Sequence, residues 1–156
     1  MPLNRYLDFR NLIASQYSVT TQEMVDKAIL FGWERLRNIT RYDNSPMLDH
    51  AVGVARIVVE EIGLGRNSTV AAIIHDVVRI AVQEHPEDVE ALTAEISREF
   101  GDEVLGISLA LSKISNIKLK RSKEQASDFR DMIVSYSEDS RVILIKLADR
   151  LEVMRT

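Results

Sequence analysis

The chain has 156 residues, 46% of them hydrophobic, enough for one domain with a substantial buried core and short for two. With 20 Lys and Arg against 24 Asp and Glu, the net charge of −4 excludes a general electrostatic drive toward nucleic acid or an anionic membrane, so an anionic ligand must be met by local positive charge or a metal. Cysteine is absent, which removes disulfides and thiolate metal sites. The start MPLNRYLDFR has no signal-peptide core, and no stretch approaches the roughly 20 apolar residues that span a bilayer; a cytoplasmic protein without direct DNA or membrane contact is expected.

Six glycines, three prolines and apolar residues recurring at three- and four-residue intervals predict an all-α chain forming one domain over residues 1–156. Thr20 followed by Glu23 reads as a capping box, and Val25, Ile29, Gly32, Leu36 and Ile39 form the apolar stripe of the helix behind it. Residues 40–46 are turn-like, with Ser45 suited to the next N-cap and Pro46 to the first helical position. That helix is predicted to reach about Ile62 and to close at Gly63 and Gly65. Asn67 or Ser68 is expected to cap a helix through about Val82, residues 83–88 break the pattern, and a helix resumes to Phe100, ended by Gly101. Further helices are predicted near 102–115, 123–137 (opened by Ser122 and Gln125 as a second capping box) and from 140 onward. The last helix carries no stop signal, so the chain is expected to be the N-terminal fragment of a longer protein.

The most informative segment is Val70 to Val78, where His75 and Asp76 sit together in an otherwise apolar helix. Burying both without partners costs several kcal/mol by rough estimate. A lone buried His-Asp pair is ordinarily a hydrogen-bonded pair. Here, however, His50 lies on the inward stripe His50, Val54, Ile57, and Asp149 lies four residues after Ile145, so three helices aim imidazole or carboxylate inward. A divalent cation held by His50, His75, Asp76 and Asp149 satisfies all of them, and two nitrogens with two oxygens favour Mn, Fe or Zn over Ca. His85 is read as a solvated loop residue, and Trp33 and the methionines as packing.

The order His50, His75-Asp76, Asp149, with the flanking text IIHDVV, SREFGDEV, LSKI, RSKEQ, FRDM and VILIKLADRLEVMRT, resembles the N-terminal HD hydrolase domain of the RelA/SpoT family. The similarity covers residues 25 to 156, and KLADRL followed by MRT is its most specific part. The resemblance implies an HD-type bundle of about eight helices. It also implies a Mn ion on those four ligands, which intact members use to remove the 3′ pyrophosphate of ppGpp and pppGpp in the stringent response. Arg41 then matches the residue that lies against guanine, Tyr42 replaces the adjacent family Lys, and Thr156 matches a nucleoside contact.

This sequence departs from the family text just where catalysis is expected. Hydrolytic members carry Glu-Asp after HDVV, and this chain has Arg79-Ile80; DRLHNM has become Asp149-Arg150-Leu151-Glu152-Val153-Met154, with Val153 in place of a substrate-binding Asn. The site is therefore expected to keep its metal while hydrolysing weakly or not at all, and to serve as a regulatory module for a C-terminal ppGpp synthetase domain, with ribosome contact through the full-length protein. The alternatives are an active Mn-dependent 3′-pyrophosphohydrolase, for which Glu84, Glu87 or Asp88 would have to replace the lost base, and an HD phosphohydrolase for another nucleotide. Lys113, Lys118, Lys120, Arg121 and Lys123 form a basic patch, read either as solvated surface or as an attractor of the nucleotide's phosphates.

Overall fold

Apolar spacing of three and four residues gives each segment one stripe to bury, and the computed structural model, which describes residues 2–115 and 139–156, places those stripes around one central helix. In the described residues the elements are α1 (Pro2–Arg5), α2 (Leu7–Gln16), α3 (Val19–Leu36), α4 (Met47–Ile57), α5 (Arg66–Glu84), α6 (Val89–Phe100), α7 (Asp102–Ser115) and α8 (Ser140–Arg155). A π-helical turn, Val58–Ile62, prolongs α4, and a 3-10 turn, Pro86–Asp88, precedes α6. The described residues contain no strand, only an isolated bridge between Thr40 and Pro46, and no helix among them is long and apolar enough to cross a membrane. The predicted all-α HD-type bundle is what forms.

Helix α5 is the centre of the bundle. Every residue from 68 to 78 is buried, because α3, α4, α6, α7 and α8 all pack against it. Val70, Ile73, Ile74 and Val78 meet Ile29 and Leu36 of α3, Val54 of α4, Ile107 and Leu111 of α7 and Ile145 of α8 in one continuous core. Of the stripe foreseen on α3, Val25, Ile29, Gly32 and Leu36 are buried, whereas Ile39 lies beyond the helix end at Leu36 and is only partly buried.

Several helix ends differ from their predicted positions. The α3 cap is Ser18, whose side chain accepts from the Thr21 N–H, two residues earlier than the Thr20 box; the chain is already extended at Ser18, which is what an N-cap requires. Pro46, in place of Ser45, is the residue before α4, while the Ser45 hydroxyl and amide both donate to Asp43 and close the turn. Neither Asn67 nor Ser68 caps α5: Gly65 precedes it, and both lie within its first turn. Gly63 (φ 81) and Gly101 (φ 96) adopt the left-handed backbone that a side chain resists and end their helices as expected. Helices α1 and α2, which pack on α3 and bury Phe9 and Ile13 of α2 and Tyr6 at the junction between them, had no counterpart in the sequence reading. The predicted 123–137 helix, its Ser122 and Gln125 box, and the patch residues Lys118, Lys120, Arg121 and Lys123 lie outside the described residues; Lys113 is exposed.

Candidate metal centre

His50 sits one turn into α4, His75 and Asp76 midway along α5, and Asp149 in the third turn of α8. All four reach inward because each occupies the apolar stripe of its helix: His50, His75 and Asp76 are buried, and the Asp149 side chain is 15% exposed. They form two pairs. His50 Nε2 lies 2.6 Å from Asp149 Oδ1, and His75 Nε2 lies 3.4 Å from Asp76 Oδ1. No three of the four have donor atoms all within 4.8 Å of one another; among the described residues only the exposed loop trio His85, Glu87 and Asp88 does. Of the predicted ligands, His50, Asp76 and Asp149 line one cavity, whereas His75 does not and reaches it only through its contact with Asp76; His50 Nε2 is engaged with Asp149 and would have to leave it to bind a cation.

The donor chemistry fits such a cation. His75 Nδ1 is 2.7 Å from the Ala72 carbonyl, which can only accept, so Nδ1 carries a proton and Nε2 is the ring nitrogen that faces Asp76. Asp76 Oδ2 is fully buried and accepts no hydrogen bond from any described residue, a costly state for a carboxylate oxygen unless a positive charge meets it. Burial alone would push the Asp76 carboxyl up, but the charges of His75, Arg79 and His50 hold it below the usual range. Asp149 is partly buried, which pushes it up, yet it is held low by a hydrogen bond from His50 and the charges of His75 and Lys146. Burial pulls the His50 imidazole down, while hydrogen bonds to Asp149 and Glu152 and the charge of Asp76 raise it above an ordinary histidine.

The surrounding cavity, about 470 Å³, is lined by Thr40, Arg41, Tyr42, Met47, His50, Asp76, Arg79, Lys146, Asp149 and Val153. Two of its basic side chains are already engaged with the candidate ligands. Arg79 Nε donates to Asp76 Oδ1 at 3.0 Å, and Lys146 Nζ donates to Asp149 Oδ2 at 2.9 Å. Of the predicted nucleotide contacts, Arg41 is nearly buried and pairs with Glu152, Tyr42 stands 77% exposed at the rim, and Thr156 accepts from Arg41 at 3.3 Å. Ile80 faces away and packs on the core. Sequence reading missed Glu152, which hydrogen-bonds His50 Nδ1, and Lys146; their signal was their place three residues to either side of Asp149 on one helix, a spacing that keeps them on its face.

A family profile described as an HD domain matches residues 28–156. The chain belongs to the HD-domain family, and its relatives place it with the RelA/SpoT type. It is 33% identical to a guanosine-3′,5′-bis(diphosphate) 3′-pyrophosphohydrolase of Aquifex aeolicus over 86% of this chain and 18% of that protein. It is 39% identical to the bifunctional (p)ppGpp synthase/hydrolase SpoT of Escherichia coli over 75% of this chain and 16% of that one. To a GTP pyrophosphokinase of Brucella melitensis it is 32% identical over 86% of this chain and 17% of the relative. The chain thus spans less than a fifth of each of these relatives.

Proposed function

We propose that this domain binds a divalent cation, Mn foremost, through His50, His75, Asp76 and Asp149, that it receives ppGpp or pppGpp, and that it hydrolyses them weakly or not at all. In that reading it acts as a regulatory module for a ppGpp synthetase domain of the same protein. Bound there, the cation would polarise a phosphoryl group and lower the pKa of a coordinated water toward about 7. Arg41 and Tyr42 at the rim, with Thr156, would hold the nucleotide.

The observation that carries the reading is the ion pair of Arg79 with Asp76. The side chain standing where hydrolytic members have Glu is a cation that cannot accept a proton, and it is bonded to a candidate metal ligand. The only carboxylates lining the cavity, among the described residues, are Asp76 and Asp149, both spoken for as ligands. Glu84, Glu87 and Asp88 are exposed near the end of α5 and none lines the cavity, which counts against their replacing the base. Losing general-base help commonly costs about 100- to 10,000-fold.

The test is pyrophosphate release from ppGpp in added Mn by the protein and by the triple variant Arg79→Glu, Ile80→Asp, Val153→Asn. Near-zero turnover that rises in the variant is expected; an unchanged rate in a folded variant would sink the proposal. The retained donor set and the hydrolases among the relatives favour a second reading, an active Mn-dependent 3′-pyrophosphohydrolase, which brisk turnover by the unmodified protein, abolished by Asp76→Ala, would establish. Hydrolysis of a different nucleotide in a substrate panel, with ppGpp inert, would point to an HD phosphohydrolase of other specificity.

A further inference from the structure

Three of the residues placed in the pocket by sequence, Arg41, His50 and Thr156, converge on Glu152. The Glu152 carboxylate accepts from His50 Nδ1, and the same oxygen, Oε1, lies 3.1 Å from the Arg41 guanidinium. Thr156 Oγ1 accepts from Arg41 and sits 2.8 Å from the Glu152 carbonyl, to which it donates. The three charged side chains are 8%, 13% and 8% exposed for Arg41, Glu152 and His50, so this is a desolvated cluster whose members hold one another in place.

The backbone makes room for it. Gly53 lies one turn after His50 on α4, and a Cβ there would stand 2.9 Å from Glu152 Cγ and 3.3 Å from Oε2. A carboxylate on Nδ1–H fixes the ring's orientation and makes the imidazole more basic, so that Nε2, which donates to Asp149 in this structure, becomes a directed and stronger metal donor once its proton is lost. Removing such a partner typically weakens metal binding 10- to 100-fold.

We propose that Glu152 is a positioning residue: it orients His50 with Nε2 toward the pocket and anchors Arg41 beside it, so that one carboxylate sets both a metal donor and the arginine at the nucleotide side. The inference rests on the metal reading above. Its test is Mn binding to the 156-residue chain by titration calorimetry, independent of turnover, with unfolding in EDTA as the check on folding. Glu152→Ala should weaken Mn affinity about 10- to 100-fold, and Glu152→Gln should lose less, because its amide oxygen can still accept from Nδ1–H. Gly53→Ala, which removes no polar group, should weaken Mn binding in the unmodified protein and add nothing once Glu152 is alanine. Where Glu152→Ala fails to fold, the Gln variant and Gly53→Ala carry the comparison. Unmodified protein that binds Mn while these variants bind it equally well, or a Gly53 effect that persists without Glu152, overturns the role of Glu152 and leaves the metal site standing. No Mn binding by the unmodified protein overturns the metal site first, and this inference with it.

Discussion

At the scale of single residues, the pocket's charges are balanced from within. Asp76 is almost wholly buried, and Arg79 is the side chain that hydrogen-bonds its Oδ1 while Oδ2 accepts nothing among the described residues. Removing one partner of a buried ion pair costs about 3–5 kcal/mol, and the 22% exposure of Arg79 brings the expectation to the lower end. Arg79→Ala should therefore lower the unfolding free energy by up to about 3 kcal/mol in EDTA. Added Mn should restore part of the loss, since a cation on Asp76 does the same electrostatic work. Urea unfolding with EDTA and with Mn measures this; an equal loss in both would mean that the metal does not meet Asp76.

At the scale of elements, α8 carries Lys146, Asp149 and Glu152 on one face, so its start decides how they are presented. Asp139 caps it: its carboxylate accepts from the Arg141 N–H at 3.1 Å and pairs with the Arg141 guanidinium. The guanidinium hydrogen bond, with help from the backbone N–H, holds the Asp139 carboxyl below its usual range despite some burial. Because the folded-state value is depressed, the folded protein binds fewer protons than the unfolded chain. The stabilisation is then present above the unfolded value near 3.9 and is lost as pH falls through the folded one. Asp139→Ala should cost about 1 kcal/mol at pH 7, and the difference between variant and parent should shrink below about pH 4, read as melting temperatures at the two pH values. A difference that stays constant into acid would show that the cap acts without its charge.

On the scale of the whole molecule, stability resides in the packing around α5 rather than in the many ion pairs on the surface. Ile73 is fully buried at the centre, and truncating such a side chain typically costs 2–5 kcal/mol, partly for the cavity left behind. The Arg35–Glu95 pair, by contrast, joins two side chains that are each 32% exposed, and pairs of that kind contribute about 0.2–1 kcal/mol. Ile73→Ala should lower the urea midpoint far more than Glu95→Ala, and the reverse order would contradict a core centred on α5. The same helix positions the site: α5 brings His75 and Asp76 to the contact of α4 with α8, so a loosened core should also weaken the pocket.

The helical class, the central buried run around His75-Asp76, the inward stripe of α3 and the inward face of His50 and Asp149 were all legible in the sequence. Periodicity and the cost of burying charge are local properties, and they survive folding unchanged. Cap positions were less legible: Ser18 and Thr20 have similar chemistry, and only the extended backbone at Ser18 chooses between them. What the tertiary structure decided was pairing. The Arg79–Asp76 pair was within reach of the sequence, since the two stand three residues apart on one helix, but nothing in the spacing says that Glu152 will join His50 to Arg41, since those contacts depend on where α4, α8 and the 40–46 turn meet. Sequence determined which side chains turn inward; packing determined which of them meet, because a charge removed from water must take whatever partner the neighbouring helices supply.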